Sequence, residues 1–362
     1  MRMKFAVLGA GNSGRAQAAD LALAGHDVNL YDSFLSMIKG ISEKGGLEIT
    51  GAARQGFAKL HEVTNDIAKA IKGVKVIFIA TPAFVHEPLF RESTPYLEDG
   101  QIILINTGYY GCLRLARLSK ELRLKKDIIL SETSILVYSS RVSGPASVHV
   151  DGIKEKDLKI AALPARDTPK VLELLKDSYP MLIPATNVLE CDLDNLNPCS
   201  HTSIMVLNAA RIDLTKGDFL FLPGGTTPTV GKVIDAVDNE RRKIAQVFGF
   251  EVESYVKTMQ KYYNAKGETA YDVIQSTEAF QDPKERAPAD FQHRYITEDI
   301  PYGLVPVSSL GNLTNVPTPT VDALIQLSSI INFSNYKREG VTLRKLGLFG
   351  LNIEQINEFL IE

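Results

Sequence analysis

The first half of the chain alternates short apolar runs with longer stretches in which apolar residues recur at helical spacing. Short apolar runs that end at glycine or polar residues are typical of buried parallel strands, and the stretches between them of crossover helices. This alternation predicts an α/β Rossmann domain with a mostly parallel, doubly wound sheet. We expect its strands at Phe5–Leu8, Asp27–Tyr31, Val76–Ala80, Ile102–Ile105, Ile128–Leu130 and, as an edge strand, Lys159–Leu163.

The pattern changes after about residue 190, where strand-like runs nearly disappear. Apolar residues spaced by three and four positions predict amphipathic helices in the second half. We therefore predict a dinucleotide-binding domain of residues 1–190 and an all-α domain of residues 191–362, which would carry the substrate. The expected helices of the second domain include Ser200–Ile212, Val230–Phe248, Glu253–Asn264 and Thr320–Asn332.

Composition and charge narrow the class of protein. The chain has 362 residues, of which 44% are hydrophobic and 23% charged, and a formal net charge of −3. This charge gives no electrostatic reason to expect a nucleic acid or a membrane surface as partner, and no apolar run approaches the roughly 18–20 residues of a membrane span. Cys112, Cys191 and Cys199 are too scattered for a disulfide framework or a zinc site. We expect a cytoplasmic protein without a signal peptide and without a bound metal.

A glycine-rich loop follows the first predicted strand. Gly9–Gly14 reads G-x-G-x-x-G and precedes the alanine-rich stretch Arg15–Ala24. In a dinucleotide-binding loop the first glycine permits a tight turn, the second lets the backbone approach the pyrophosphate, and the third lets the helix pack closely. The helix N-terminus also favours a phosphate. A glycine turn without a ligand is the alternative. The residues predicted to bind the cofactor here are Gly9, Gly11, Asn12, Ser13 and Gly14.

The choice of cofactor depends on Asp32, which ends the second predicted strand. A carboxylate at this place accepts hydrogen bonds from the ribose hydroxyls and repels a 2′-phosphate. No arginine follows within the next few residues, although Ser33 leaves NADP(H) open. We predict NAD(H), with NADP(H) less favoured. Thr81 and Pro82 follow the third strand, so they are predicted to contact the cofactor at the same edge of the sheet.

Two stretches of the second half combine polar residues that packing does not explain. Asn197 and Pro198 predict a helix start, with Asn197 as the cap and His201 near the N-terminus. Asn208 lies two turns further along the same face, and we expect it to contact the substrate. The positive end of the helix would lower the pKa of His201, so a catalytic acid or base there needs a carboxylate partner.

Arg294–Val305 supplies an arginine, two acids and an apolar Pro-Tyr-Gly turn. A buried aspartate would fix the His201 tautomer, and Arg294 would bind a substrate carboxylate through two parallel hydrogen bonds. In the alternative, His201 only caps its helix and Arg294 pairs with Glu298 on the surface. Arg141 is a candidate second anion site or a surface charge. We interpret His86 as a loop residue, with a contact on the nicotinamide side as the alternative.

At these residues the sequence resembles the opine dehydrogenase family, also called octopine/nopaline dehydrogenases, and in particular its bacterial N-(1-carboxyethyl)-amino-acid dehydrogenase type. The Arg-Tyr-x-x-Glu-Asp segment at Arg294–Asp299 is the most specific shared motif. The resemblance covers nearly the whole chain. Besides the glycine loop, it includes Thr81–Phe84, Ser131–Ser134, Leu207–Arg211, Gly225–Val230, Asp238–Arg241 and Gly340–Leu351.

The resemblance implies a role for three residues. His201 would be the general acid/base, Asp299 its orienting partner, and Arg294 the group that holds the carboxylate of the 2-oxo acid. The implied reaction condenses a 2-oxo acid, typically pyruvate, with the amino group of an amino acid, and NADH reduces the resulting imine. The chain departs from the family at Thr202, where proline is usual, and at Asn106–Cys112, where the family favours Asn-Pro-Gly. The second departure places two tyrosines beside the expected nicotinamide position.

Two other functions remain open on the residues alone. A 2-hydroxy-acid or phosphate-ester dehydrogenase on a related scaffold would commonly use a lysine base, and the helix that carries His201 and Asn208 has none. A non-catalytic NAD-binding sensor would depend on Gly11 but not on His201. The apolar helices of the second half suit a homodimer interface or a monomer core equally.

Overall fold

The apolar runs of the first half form one eight-stranded sheet in the structure, a computed structural model that describes residues 2–362. The chain divides into two compact units, Met1–Cys191 with Leu360–Glu362, and Asp192–Phe359. All strands belong to the first unit. They are β1 (Lys4–Leu8), β2 (Asp27–Tyr31), β3 (Gly46–Gly51), β4 (Gly56–Lys59), β5 (Glu62–Thr64), β6 (Val76–Ile79), β7 (Ile102–Ile105), β8 (Ile129–Thr133), β9 (Tyr138–Gly144), β10 (Ser147–Ile153), β11 (Leu158–Leu163) and β12 (Leu182–Pro184).

The large sheet has the order β12-β11-β8-β7-β6-β1-β2-β5. The six neighbouring strands β8-β7-β6-β1-β2-β5 are parallel and have the order of a dinucleotide-binding fold. The point at which the strand order reverses lies between β1 and β6. The predicted Rossmann sheet is therefore confirmed. The prediction that Lys159–Leu163 is an edge strand was wrong. This segment belongs to β11, which pairs antiparallel with β8 and parallel with β12, and β12 is the edge strand.

A second sheet of four strands, in the order β4-β3-β10-β9, packs beside the helix that follows the glycine loop. This second sheet was not predicted from the sequence. Its strands alternate buried and exposed residues over short lengths and contain glycines, for example at both ends of β3. Such strands lack the continuous apolar run that marks the fully buried strands β6 and β7.

Helices cover the large sheet and provide its connections. Apolar residues of the strands, the helices and the second sheet form one core around Phe5, Phe78 and Leu104. The helices of the first half are α1 (Asn12–Leu23), α2 (Leu35–Lys44), α3 (Ile67–Ile71), α4 (Ala83–Ser93), α5 (Gly111–Glu121), α6 (Thr168–Leu175) and α7 (Val188–Leu193), with short 3₁₀ turns at Thr94–Tyr96 and Ala165–Asp167.

The second unit is helical, which confirms the predicted all-α class. Within its described residues the only β pairing is an isolated bridge between Leu220 and Arg286. The helices of the second half are α8 (Asn197–Leu207), α9 (Ala209–Thr215), α10 (Leu222–Gly225), α11 (Pro228–Val247), α12 (Tyr255–Tyr263), α13 (Ala270–Ser276), α14 (Arg294–Thr297), α15 (Val305–Thr314), α16 (Pro319–Ile331), α17 (Tyr336–Glu339), α18 (Leu343–Leu346) and α19 (Ile353–Ile361), with a 3₁₀ turn at Glu278–Gln281 and a π-helix at Asp299–Leu304.

Two details of this unit differ from expectation. The predicted helix Ser200–Ile212 is interrupted at Asn208, which ends α8 and precedes α9. The expected Pro-Tyr-Gly turn lies within the π-helix Asp299–Leu304, a rare conformation that is frequent at functional sites. Among residues 2–362, no helix combines the length and the apolar character that a membrane span requires.

Candidate active site and cofactor site

The glycine loop lies where β1 ends, at the reversal point of the large sheet. Gly9 has φ +113°, and a Cβ there would lie 2.6 Å from the Ala80 carbonyl oxygen at the end of β6. A Cβ on Gly14 would lie 1.8 Å from the Gly9 oxygen, so only glycine permits this approach of helix and strand. Gly11 is different, because a Cβ there would meet no atom within 4 Å. Open space at this glycine is what close approach of a pyrophosphate requires.

The N-terminus of α1 completes the loop. Gly11 caps the helix without a side-chain hydrogen bond, and Asn12 and Ser13 are its first residues. The Asn12 side chain does not point freely into solvent, since its Oδ1 accepts a hydrogen bond of 2.8 Å from the backbone N–H of Val142 in β9. The second sheet thus holds the loop that sequence analysis assigned to the cofactor.

Asp32 follows β2, and its carboxylate is fixed by two backbone donors. Ala10 N–H donates to Oδ2 at 2.8 Å and Phe34 N–H donates to Oδ1 at 3.0 Å. The neighbouring cation is Arg15, which is 3% exposed. Its guanidinium donates to backbone carbonyl oxygens of Ala10, Met37, Gly144 and Pro145. Arg15 is therefore committed to the fold rather than presented to a 2′-phosphate.

Thr81 and Pro82 connect β6 to α4, with Pro82 as the N-cap. The Thr81 carbonyl oxygen accepts a hydrogen bond of 3.1 Å from His86 Nε2, and His86 Nδ1 lies 3.1 Å from Arg114 Nη2. Because Arg114 only donates, Nδ1 accepts and the imidazole is neutral. Burial and the Arg114 charge lower the pKa of His86 to about 3. The loop assignment of His86 was wrong, since it is a fully buried residue of α4.

His201 and Asp299, which are 98 positions apart in the sequence, are in contact in the helical unit. His201 Nδ1 lies 2.7 Å from Asp299 Oδ2. The Asp299 side chain is 2% exposed and the His201 side chain 13% exposed. Because the carboxylate accepts, His201 carries its proton on Nδ1 and directs Nε2 away from the pair. The contact joins α8 to the start of the π-helix.

The cap of α8 differs by one residue from the prediction. Leu196 is the N-cap and Asn197 the first helical residue, with Pro198 behind it. No side chain caps the helix at Leu196, but the Asn197 N–H donates to Asn195 Oδ1 at 3.1 Å just before the helix. His201 accordingly lies in the second turn of the helix.

An aromatic stack sets the plane of the His201 imidazole. The rings of His201 and Tyr295 have centroids 3.9 Å apart and planes inclined by 30°. Phe221 stacks on Tyr295 at 4.6 Å, and His293 meets the Tyr295 ring edge-on at 4.4 Å. No role was predicted from the sequence for Tyr295, Phe221 or His293, because ring stacking between distant segments leaves no spacing signal.

Arg294 precedes this stacked tyrosine and is held by a buried carboxylate. Its Nη1 lies 3.2 Å from Glu298 Oε2, with side-chain exposures of 45% for Arg294 and 3% for Glu298. Arg294 and Glu298 form the ion pair expected in the alternative interpretation, but the Glu298 carboxylate is buried rather than exposed to solvent. One edge of the guanidinium is anchored while nearly half of the side chain is accessible.

Asn208 and Arg141 have structural partners. Asn208 Nδ2 donates to the carbonyl oxygens of Ile204 and Gly225, both at 2.9 Å, so its amide donors are used by the fold. Arg141 lies in β9, with Nε 3.7 Å from Asp151 Oδ2, close to the strand residue that binds Asn12. Substrate contacts for either residue stay predictions.

The residues that the structure describes give little support for a reactive cysteine or for a metal site. Burial raises the pKa of the Cys199 thiol to about 12, so the thiol is protonated at neutral pH. No group of three or more His, Cys, Asp or Glu residues with metal-binding geometry occurs within residues 2–362.

The strand order and the glycine loop are those of a dinucleotide-binding fold. Residues 4–146 match the family model of the NAD-dependent glycerol-3-phosphate dehydrogenase N-terminus, and residues 184–332 match that of the NAD/NADP octopine/nopaline dehydrogenase alpha-helical domain. The chain is 35% identical over 348 residues to the opine dehydrogenase of Arthrobacter sp. (strain 1C), with 96% of each chain covered. The chain therefore belongs to the opine dehydrogenase family and is an NAD-dependent oxidoreductase.

More distant relatives agree with this assignment. An octopine dehydrogenase of Mizuhopecten yessoensis is 24% identical over 317 residues, covering 79% of this chain and 75% of the relative. A solved structure of octopine dehydrogenase with NADH and L-arginine is 20% identical and superposes with a TM-score of 0.75 over 98% of this chain and 97% of that one. At this identity the structural likeness supports the fold.

Proposed function

We propose that this protein catalyses the NADH-dependent condensation of a 2-oxo acid, with pyruvate as the first candidate, and the amino group of an amino acid. The amine adds to the keto carbon, water leaves to form an imine, and reduction gives a secondary amine. NADH, when bound, supplies the hydride for the last step. A solved octopine dehydrogenase was studied with NADH and pyruvate, which supports this choice of 2-oxo acid.

The observation that carries the proposal is the 2.7 Å contact between His201 Nδ1 and Asp299 Oδ2. Loss of water from the carbinolamine needs a proton donor, and a protonated imidazole can serve as that donor. With Nδ1 bound to Asp299, Nε2 is the atom that gives the proton to the leaving hydroxyl. Asp299 stabilises the imidazolium and keeps this tautomer.

Arg294 is proposed to bind the carboxylate of the 2-oxo acid. Its side chain combines accessibility with an anchor, since Glu298 holds Nη1 while 45% of the arginine side chain is exposed. A guanidinium can bind a carboxylate through two parallel N–H donors, which fixes both position and orientation. Orientation matters here because the keto carbon must face both the amine and the hydride donor.

The cofactor residues are proposed on the geometry of the first unit. Gly9, Gly11 and Gly14 shape the loop, Asn12 and Ser13 begin α1, and Asp32 would accept the ribose hydroxyls. Asp32 is suited to this because Ala10 and Phe34 hold its carboxylate in place. The same carboxylate favours NADH over NADPH, while Arg15 is committed to backbone carbonyls.

The deciding experiment follows NADH oxidation with pyruvate alone and then with a panel of amino acids and other amines. Oxidation that requires both pyruvate and an amine, with formation of the secondary amine, supports the proposal. Oxidation with a 2-oxo acid alone would instead establish a hydroxy-acid dehydrogenase. NADH binding without turnover on any pair would favour the sensor.

A further inference from the structure

The first unit contains a cavity beside the second half of α1, away from the glycine loop. Its volume is about 450 Å³, and sites for small molecules usually measure roughly 300–1,000 Å³. The cavity is lined by α1, by residues of the four-stranded sheet and its loops, and by the segment that precedes β12. Asp20 of α1 lies about 12 Å along the helix axis from Asn12, where the helix begins. All lining residues belong to the first unit, so the cavity is separate from both sites described above.

Arg54 contributes a guanidinium group that a buried carboxylate holds in place. Its Nη1 donates to both oxygens of Asp20 at 3.0 Å, and its backbone N–H donates to Asp20 Oδ1 at 3.3 Å. The Tyr138 hydroxyl donates to Asp20 Oδ2 at 2.7 Å. The Arg54 side chain is 48% exposed and that of Asp20 only 8%. Because Asp20 uses only Nη1 of the guanidinium, a ligand carboxylate can bind the edge formed by Nε and Nη2.

Ser178 adds a hydroxyl donor to the same cavity. The Nδ1 atom of His26 accepts the Met3 N–H at 3.2 Å, and burial lowers the pKa of His26, so the ring is neutral at pH 7 with its proton on Nε2. This Nε2 donates to Ser178 Oγ at 3.1 Å. Since the serine oxygen accepts from His26, its own O–H can be donated to another acceptor. Arg54 and Ser178 together provide donors for an anionic group.

The remaining lining is acidic and apolar. Glu155, which follows β10, is exposed and lines the cavity, so its carboxylate can bind an ammonium group. Ala53, Ile153 and Met181 contribute apolar surface. The cavity thus combines donors for a carboxylate, an acceptor for an ammonium group and a surface that favours an apolar side chain.

We propose that this cavity binds a free α-amino acid with an apolar side chain, at a site separate from the one assigned to the substrates. Arg54 and Ser178 bind the carboxylate, Glu155 binds the ammonium group, and Ile153 and Met181 contact the side chain. The amino acid is a ligand of the first unit here and not a reactant. Binding requires neither NADH nor the proposed reaction, so the two proposals can fail independently.

The test uses the methyl group of Met181 as a reporter inside the cavity. The chain has six methionines, and NMR spectra of protein labelled with carbon-13 at the methionine methyl groups resolve them, with Met181→Leu identifying the signal. L-Leucine, added without NADH, should shift this signal in a saturable way. The matched compounds 4-methylpentanoate, which lacks the amino group, and 3-methylbutylamine, which lacks the carboxyl group, should both bind more weakly.

Two substitutions test the charged groups. Arg54→Lys keeps a positive charge beside Asp20 but has no planar edge with two parallel donors, so we expect the Kd of leucine to rise at least about 10-fold. Glu155→Gln should raise it about 2- to 5-fold, as for an exposed ion pair. Glu354→Gln, at an exposed glutamate of α19, should leave the Kd unchanged. Arg294→Lys should also leave it unchanged, which separates this cavity from the proposed substrate site.

A saturable Met181 shift that both Arg54→Lys and Glu155→Gln weaken supports the assignment. The absence of a saturable shift up to about 10 mM leucine would overturn it, since such a ligand binds no more tightly than millimolar. Equal affinity of leucine and its two analogues would also overturn it, because neither charged group would then be recognised. This comparison needs only the wild-type protein and decides the question even if Arg54→Lys fails to fold.

Discussion

The Tyr295 ring lies over the His201 imidazole, with the two ring centroids 3.9 Å apart. Asp299 binds the imidazole at its edge, and Tyr295 covers its face. Together they fix the two rotations that would otherwise change the direction of Nε2. Substitution of Tyr295 and of Asp299 can show separately how the ring stack and the hydrogen bond position the His201 imidazole.

We expect Tyr295→Leu to lower kcat about 2- to 10-fold, in line with the usual strength of an aromatic pair. Tyr295→Phe retains the stack and should have nearly the wild-type kcat. Steady-state kinetics of the two variants check this. Equal kcat values for Tyr295→Leu and Tyr295→Phe would mean that the stack only stabilises the fold.

Asp299→Asn tests the histidine tautomer. An asparagine amide can donate to Nδ1, which would place the imidazole proton on Nε2 and remove the correct acid/base form. We expect kcat to fall about 10²- to 10⁴-fold, similar to His201→Ala, with NADH binding unchanged. Single-turnover kinetics and NADH fluorescence check this. Rapid turnover in either variant would contradict the assigned roles.

Sequence patterns predicted the parts of the fold that are buried on both faces. Strand β7 has the predicted bounds, because a parallel strand covered by helices needs a continuous apolar run. The four-stranded sheet escaped prediction because its short strands are half polar. The contact of His201 with Asp299 could be established only from the three-dimensional structure, since periodicity within one helix carries no information about a segment 98 positions away. The aromatic stack on His201 has no sequence signal of its own.

Arg294→Lys should raise the apparent KM for the 2-oxo acid about 10- to 100-fold, because lysine cannot form two parallel hydrogen bonds to a carboxylate. The KM for NADH should not change. Arg344 offers a control, since its guanidinium lies over the Phe349 ring at 4.3 Å in α18. Arg344→Lys should leave the KM for the 2-oxo acid unaltered, and an unaltered KM in Arg294→Lys would make Arg294 structural.

Asp32→Ala should weaken NADH binding and bring the kcat/KM values for NADH and NADPH closer together, because the carboxylate that repels a 2′-phosphate is removed. Asp66 is the matched control, since it also accepts hydrogen bonds from two backbone N–H groups, at Ala68 and Lys69. Asp66→Ala should lower stability and keep the cofactor preference. Equal use of both cofactors by wild-type protein would refute the argument.

The buried imidazole of His86 is expected to make the folded protein less stable as the pH falls. Its folded-state pKa is lowered from 6.5 to about 3 by burial and by Arg114. As the pH falls below 6.5, the unfolded chain binds a proton that the folded chain excludes, so stability present at pH 7 is lost progressively toward pH 3. This one group should cost about 2 kcal/mol between pH 7 and pH 5.

His86→Gln preserves one donor for the Thr81 carbonyl and one acceptor for Arg114, and it cannot titrate. Urea unfolding between pH 7 and pH 5 should therefore show a weaker dependence on pH in His86→Gln than in wild type. Parallel curves for the two proteins would show that His86 does not contribute.

The turn between β9 and β10 looks like a place where an insertion would be tolerated, since it is a short surface connection. The buried Arg15, however, donates to the carbonyl oxygens of Gly144 and Pro145 in this turn and to that of Ala10 in the glycine loop. Gly40 of α2 packs so closely on Pro145 that a Cβ would lie 2.8 Å from it. A tag or reporter peptide inserted at this turn would therefore disturb the glycine loop, and the turn is a poor choice for engineering despite its position at the surface.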